Sequence, residues 1–185
     1  MEDLSLHILD IAENSVEAGA TWVKISLIED RKTDLLQLEI EDNGRGMSAE
    51  ECRQALNPFY TTRKTRRFGL GLPFLLEACQ AAGGQLSLES SPGQGTKVIA
   101  TFRLSHIDLK PLGDIPLTII ALIAGHPEID WQYYHRRNDW EFKFDSKEFK
   151  ENYPEIAINH PMALKAIRNF INKNLSLIRR EHDRG

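Results

Sequence analysis

The chain has 185 residues, 41% hydrophobic and 27% charged, with a formal net charge of −4. That composition suits a soluble globular protein with a real core, and the acidic balance argues against a general nucleic-acid-binding surface. Cys52 and Cys79 lie far apart without metal-ligand spacing and read as two buried, reduced thiols. The longest apolar run, Ile115–Ala124, is too short to span a bilayer, and Met1-Glu2-Asp3 is acidic where a secretory signal is basic. A cytoplasmic protein without a membrane partner is expected.

Residues 4–18 read as a helix, with Leu6, Leu9, Val16 and Ala20 near one stripe, Ile8, Ile11 and Ala12 on its flank, and Gly19 as a stop. Residues 21–29 and 35–41 alternate apolar and polar around a polar turn, as two strands do. Asp42–Gly46 is a loop by composition. Ser48-Ala-Glu-Glu51 is a capping box that opens a short helix to about Leu56. Residues 57–69 are irregular and basic. A helix follows over Leu70–Ala82, with Pro73 in its first turn, then strands over 85–90 and 96–104.

After Ser105 the pattern restarts. Asp114 caps a helix with Pro116 in its first turn and Gly125 at its end. Ile129, Trp131 and Tyr133 alternate, Asn138-Asp139 turns, and Trp140, Phe142 and Phe144 alternate again, which makes a hairpin. Pro161–Arg180 is an amphipathic helix. The expected fold is α+β, a two-layer sandwich with helices on one face of a mixed or antiparallel sheet. The expected division is a first domain over 1–105 and a small αββα extension over 106–185 of unknown role. The aromatic residues of the hairpin read as core, or else as a partner or dimer surface.

Three clusters could carry chemistry. Asp42-Asn43-Gly44-Arg45-Gly46-Met47 follows a strand directly, so a carboxylate stands beside glycines that let backbone approach a flat ligand. A tight turn with an exposed Asp would look the same. Gly69-Leu70-Gly71-Leu72 opens a helix, where bare amides and the helix dipole attract anions; a hinge is the plain alternative. Upstream, Arg63, Lys64, Arg66 and Arg67 could clamp phosphates or form a solvated loop. Asp10 and Asn14 share a face of the first helix. There a carboxamide could hold Mg²⁺ and a carboxylate could take a proton.

The order of these clusters resembles the GHKL superfamily of gyrase, heat-shock chaperone, histidine kinase and MutL. Asp10–Thr21 is similar to the N box, in its MutL form; Asp42–Met47 resembles the G1 box; Asn57–Lys64 resembles the F box and lid of histidine kinases; and Gly69–Leu72 resembles their G2 box. Ala82-Gly83-Gly84 and Ser91–Thr96 resemble the closing segment. The resemblance runs from about Leu6 to about Leu104. It implies the ATP-binding Bergerat fold, with ATP and Mg²⁺ as cofactors. Asn14 would be the Mg²⁺ ligand and Asp42 the adenine-reading carboxylate. Gly44, Gly46 and Met47 would shape the base pocket, and Thr96 would sit near the base. Gly69, Leu70, Gly71 and Leu72 would cradle phosphates, with Arg63 and Lys64 in the lid.

The N box begins so early that no phosphoacceptor hairpin is expected upstream of it, and His7 is expected to be packed. Many histidine kinases carry an amide at the position of Asp10, whereas GHKL ATPases and serine kinases carry Glu. Asp10 is thus a candidate catalytic base, one methylene short. Three functions follow: a stand-alone kinase acting on a partner protein, an ATP-driven conformational or dimerisation switch with slow hydrolysis, and an ATP-sensing module without turnover. A protein partner and a homodimer belong to these expectations.

Overall fold

A computed structural model describes residues 3–57 and 70–180. The elements are α1 (Leu4–Glu17), β1 (Trp22–Asp30), β2 (Leu35–Asp42), α2 (Ala49–Ala55), α3 (Gly71–Ala81), β3 (Leu86–Ser90), β4 (Thr96–Arg103), α4 (Ile115–Gly125), β5 (Asp130–Arg137), β6 (Trp140–Asp145), α5 (Ser146–Asn152) and α6 (Pro161–Arg180). The six strands form one mixed sheet in the order β3-β4-β2-β1-β5-β6. Among the described residues only β1 and β5 run parallel; every other pair is antiparallel.

Cross-strand register explains why the sheet has one dry face. Leu88, Val98, Ile40, Ile25, Tyr133 and Phe144 are successive neighbours in one row across all six strands. Leu86, Ala100, Leu38, Leu27, His135 and Phe142 form the next. On the opposite face Glu89, Lys97, Glu41 and Lys24 line up with alternating charge. Such alternation leaves one face for packing and one for water. Helices α1, α3 and α6 pack on strands of the sheet, and α4 lies between α1 and α6.

Helix α1 starts where the Asp3 carboxylate accepts from the Leu6 amide. Its buried stripe is Leu4, Ile8, Ile11, Ala12 and Ser15, while Leu6 is 41% exposed and Leu9 and Val16 lie at the edge of the core. The stripe expected from Leu6, Leu9 and Val16 is therefore corrected by part of a turn. Apolar residues surround much of this helix, and docking on the sheet chooses which of them go inside.

The capping box of α2 is present, with Ser48 and Glu51 satisfying each other's amides. Asp114 caps α4 by accepting from the Leu117 amide. Helix α5 escaped the sequence reading because its seven residues hold one large apolar side chain, Phe149, and so carry no period. Of the two thiols, Cys79 is buried and Cys52 only partly so.

The segment after Ser105 joins the same sheet. Strand β5 lies edge to edge with β1, from Trp22 opposite Asp130 to Glu29 opposite Arg137. At the junction the Asp34 carboxylate accepts from the amide and hydroxyl of Ser105 and from the Arg103 guanidinium. Among the described residues no helix is long and apolar enough to cross a membrane.

Candidate functional site

The third inner row breaks the apolar pattern. Ser90, Thr96 and Asp42 stand side by side on β3, β4 and β2, next to Val23 and Trp131. Asp42 ends β2 beneath α1 and is only 7% exposed. A buried carboxylate needs donors. Ser15 supplies one, its hydroxyl donating to Oδ2 of Asp42 at 2.6 Å, and the Gly44 amide donates to Oδ1 at 2.8 Å.

Beside this carboxylate lies a cavity of about 430 Å³. Its walls include Asn14 and Ser15 of α1, Ile40 and Asp42 of β2, Gly46 and Met47 of the following loop, Leu72 of α3, and Thr96 and Val98 of β4. Apolar walls with a few fixed polar groups make a small-molecule pocket. Its size lies within the range of such sites, about 300–1,000 Å³.

The loop after Asp42 is held on both sides. The Arg45 amide donates to the Ala18 carbonyl, and the Arg45 carbonyl accepts from the Gly93 amide. Ser90 ties the loop to β4: its hydroxyl accepts from the Met47 amide, contacts the Gly95 carbonyl, and lies 3.0 Å from the Thr96 hydroxyl. Gly46 has φ +67°, and a β-carbon there would stand 2.0 Å from the Ser91 carbonyl oxygen. Only glycine fits this crossing.

Of the residues expected from sequence, Asn14, Asp42, Gly46, Met47, Leu72 and Thr96 line the one cavity. Gly44 lies behind it, close enough to Ala18 that a β-carbon would come within 2.9 Å of the Ala18 side chain. Asp10, Leu70 and Gly71 do not line the cavity; Gly71 begins α3 beside Asp10. A β-carbon on Gly71 would be 3.3 Å from Oδ2 of Asp10, and Leu70 is half exposed. Arg63, Lys64 and Gly69 lie outside the described residues. Asp10 reaches solvent, yet partial burial raises its carboxyl above the usual range, and the charge of Glu13 adds to this. His7 is packed as expected, 2% exposed, with its imidazole pushed down to about 4 chiefly by burial and next by the N-terminal charge.

Ser15, Ala18 and Arg45 also line the cavity and carry no role expected from sequence. Ser15 had a usable signal: it is a hydroxyl on the stripe continuing Leu4, Ile8 and Ile11, where an apolar residue would be expected. Arg45 pairs with Glu51 at 3.4 Å, joining the loop to α2.

Residues 2–106 match the family described as "Histidine kinase-, DNA gyrase B-, and HSP90-like ATPase". The sensor protein DegM of a Bacillus species is 30% identical over 92 residues, which are 50% of this chain and 24% of that protein. The sensor protein kinase FleS of Pseudomonas aeruginosa is 36% identical over 108 residues, 58% of this chain and 26% of that protein. This chain thus spans about a quarter of the length of these relatives. Among solved structures, the N-terminal domain of a DNA repair protein aligns with a TM-score of 0.53 at 15% identity, covering 78% of this chain and 52% of the other. At that identity the likeness is one of fold. It covers more of the chain than residues 2–106 alone supply, so it continues into the segment after them.

Proposed function

This chain belongs to the histidine kinase-, DNA gyrase B-, and HSP90-like ATPase family, and we propose that it binds Mg²⁺-ATP in the pocket beneath α1 and transfers the γ-phosphate to a partner protein. The observation that carries the nucleotide reading is Asp42, a carboxylate buried at the pocket wall and held by Ser15 and Gly44. With both oxygens fixed it can still accept from the exocyclic amine of adenine. Guanine would present a carbonyl oxygen there and be repelled. Thr96, directly opposite Asp42 on β4, adds a hydroxyl beside the base.

Phosphates would extend toward the start of α3, where Leu70 and Gly71 offer backbone amides and Leu72 closes the wall. Asn14 presents a carboxamide to the same cavity. Among the described residues no cluster of three or more His, Cys, Asp or Glu could hold a metal. A single carboxamide oxygen from Asn14 fits Mg²⁺, which comes with its phosphates and waters and takes one or two protein oxygens. When bound, the ion would neutralise charge on the β- and γ-phosphates.

Asp10 stands beside Gly71, where this reading would put the phosphates, and its raised carboxyl suits a base that takes the proton of an attacking hydroxyl. The names of the relatives, sensor kinases, favour a protein acceptor. His7, packed against the core, is not a reachable acceptor on this chain. The carboxylate at Asp10 also favours a second reading, an ATP-driven switch with slow hydrolysis, because water needs a base as much as a serine or threonine hydroxyl does.

The test uses γ-labelled ATP with Mg²⁺, with and without cell lysate. Label on a second protein supports transfer, and label only in free phosphate supports the switch. Asp42→Asn should abolish ATP binding under both readings, and unchanged binding would refute the pocket assignment.

A further inference from the structure

The sheet ends on one side at β6, and among the described residues no strand pairs with the outer edge of β6. An open edge offers unpaired backbone groups to another strand. This edge also carries exposed aromatic surface on its helix side. Trp140 is 47% exposed and Phe170 of α6 is 46% exposed, with the Phe170 and Phe142 rings 6.5 Å apart, edge to face. On the other face Glu141 and Lys143 are exposed, and neither forms an ion pair among the described residues. Glu141 instead accepts from the Tyr134 hydroxyl.

We propose that β6 pairs antiparallel with β6 of a second copy, about a two-fold axis through Phe142, so that six strands from each chain form one continuous sheet. Sequence spacing selects that register. With Phe142 opposite itself, Glu141 faces Lys143 of the second copy and Lys143 faces its Glu141. On the helix side Trp140 comes opposite Phe144, and Phe170 approaches the axis from above. A shift of one residue toward Lys143 sets lysine against lysine and Glu141 against Asp145; a shift of one residue the other way sets Glu141 against itself. Like charges directly opposite destabilise strand pairs. The opposite edge, β3, bears a single charged residue, Glu89, and has no such self-complementary arrangement.

An interface made of one strand edge and a few side chains is small, and small interfaces pair weakly. The interface lies at the opposite edge region of the sheet from the pocket strands β2, β4 and β3, so it is tested without nucleotide and stands or falls independently of the ATP reading. Sedimentation equilibrium of the full chain from micromolar to millimolar concentration should show reversible dimers. Glu141→Lys alone and Lys143→Glu alone should each raise the dimerisation midpoint by about tenfold, since two symmetric pairs turn from attraction to repulsion. An equimolar mixture of the two variants should regain wild-type association, because every 141–143 pair is then of opposite charge. Amides of β6 should gain hydrogen-exchange protection as concentration rises. The proposal is overturned by a wild type that stays monomeric, by a mixture that associates no better than either variant, or by dimers whose β6 amides exchange as in the monomer.

Discussion

The Ser15 hydroxyl donates to the Asp42 carboxylate at 2.6 Å, joining α1 to the end of β2 inside the core. A charged, buried acceptor makes this hydrogen bond stronger than a neutral one. Its loss would leave one oxygen of Asp42 without its partner while the other still accepts from Gly44. Ser15→Ala is expected to weaken ATP binding about tenfold, which corresponds to about 1.4 kcal/mol. Titration calorimetry against ATP measures it. An unchanged affinity would mean that Asp42 needs no alignment by Ser15.

Gly46 is tested by the smallest substitution. Its positive φ and the 2.0 Å approach to Ser91 leave no room for a methyl group. In Gly46→Ala the loop must separate from the 91–95 turn, and the Met47 amide would leave Ser90. A stability loss of about 2 kcal/mol or more is expected, together with loss of nucleotide binding. Thermal unfolding and an ATP-binding assay on the same sample distinguish the two effects. Gly93→Ala serves as the control: it also has positive φ but meets nothing within 4 Å, so it should cost stability without moving the wall of the pocket.

Much of this site was legible in the sequence because its demands are local. Strand alternation ended at Asp42, glycines followed at fixed spacing, and Asp10 and Asn14 were one helical turn apart. The sequence could not show which face of α1 goes inside, since Leu6 and Leu9 are as apolar as Leu4 and Ile8. Only the sheet beneath decides that. It also did not reveal Ser15 as a partner of Asp42, a contact across 27 positions. The parallel pairing of β5 with β1 was likewise hidden, because strand order is a property of edges and the period-2 pattern describes faces.

That pairing bears on the boundary expected near residue 105. Strand β1 lies between β2 and β5, and α1 packs on α4. His135 of β5 reaches Glu29 of β1 at 2.9 Å and the Tyr133 hydroxyl at 2.8 Å, all buried. A fragment of residues 1–105 would uncover the β1 edge and leave Glu29 buried on one side without these partners. It is expected to aggregate or to bind a dye for exposed apolar surface, while the full chain does not. Within the full chain, Glu29→Leu leaves Arg137 without the carboxylate it meets at 3.5 Å. A cost of about 3 kcal/mol is expected, measured by urea unfolding. A soluble, cooperatively unfolding 1–105 fragment would show that the first segment folds alone.

The packed histidine of α1 gives the fold a pH dependence whose sign can be worked out. His7 titrates at about 4 in the folded chain, against 6.5 for the unperturbed side chain, because burial disfavours its charged form. Between these two values the unfolded state binds the proton and the folded state does not. Stability must therefore rise with pH through that window, remain flat with respect to His7 above it, and reach its lower plateau below it. The gap corresponds to about 3 kcal/mol. Asp10 contributes with the opposite sign, because burial raises its carboxyl in the folded state. The His7 part is isolated by subtraction: His7→Leu, which fills a similar apolar space without a titrating ring, should lose this slope and keep the remainder. Urea unfolding of both chains at closely spaced pH values across the window provides the comparison. Parallel curves for the two chains would show that His7 is not held neutral by the core.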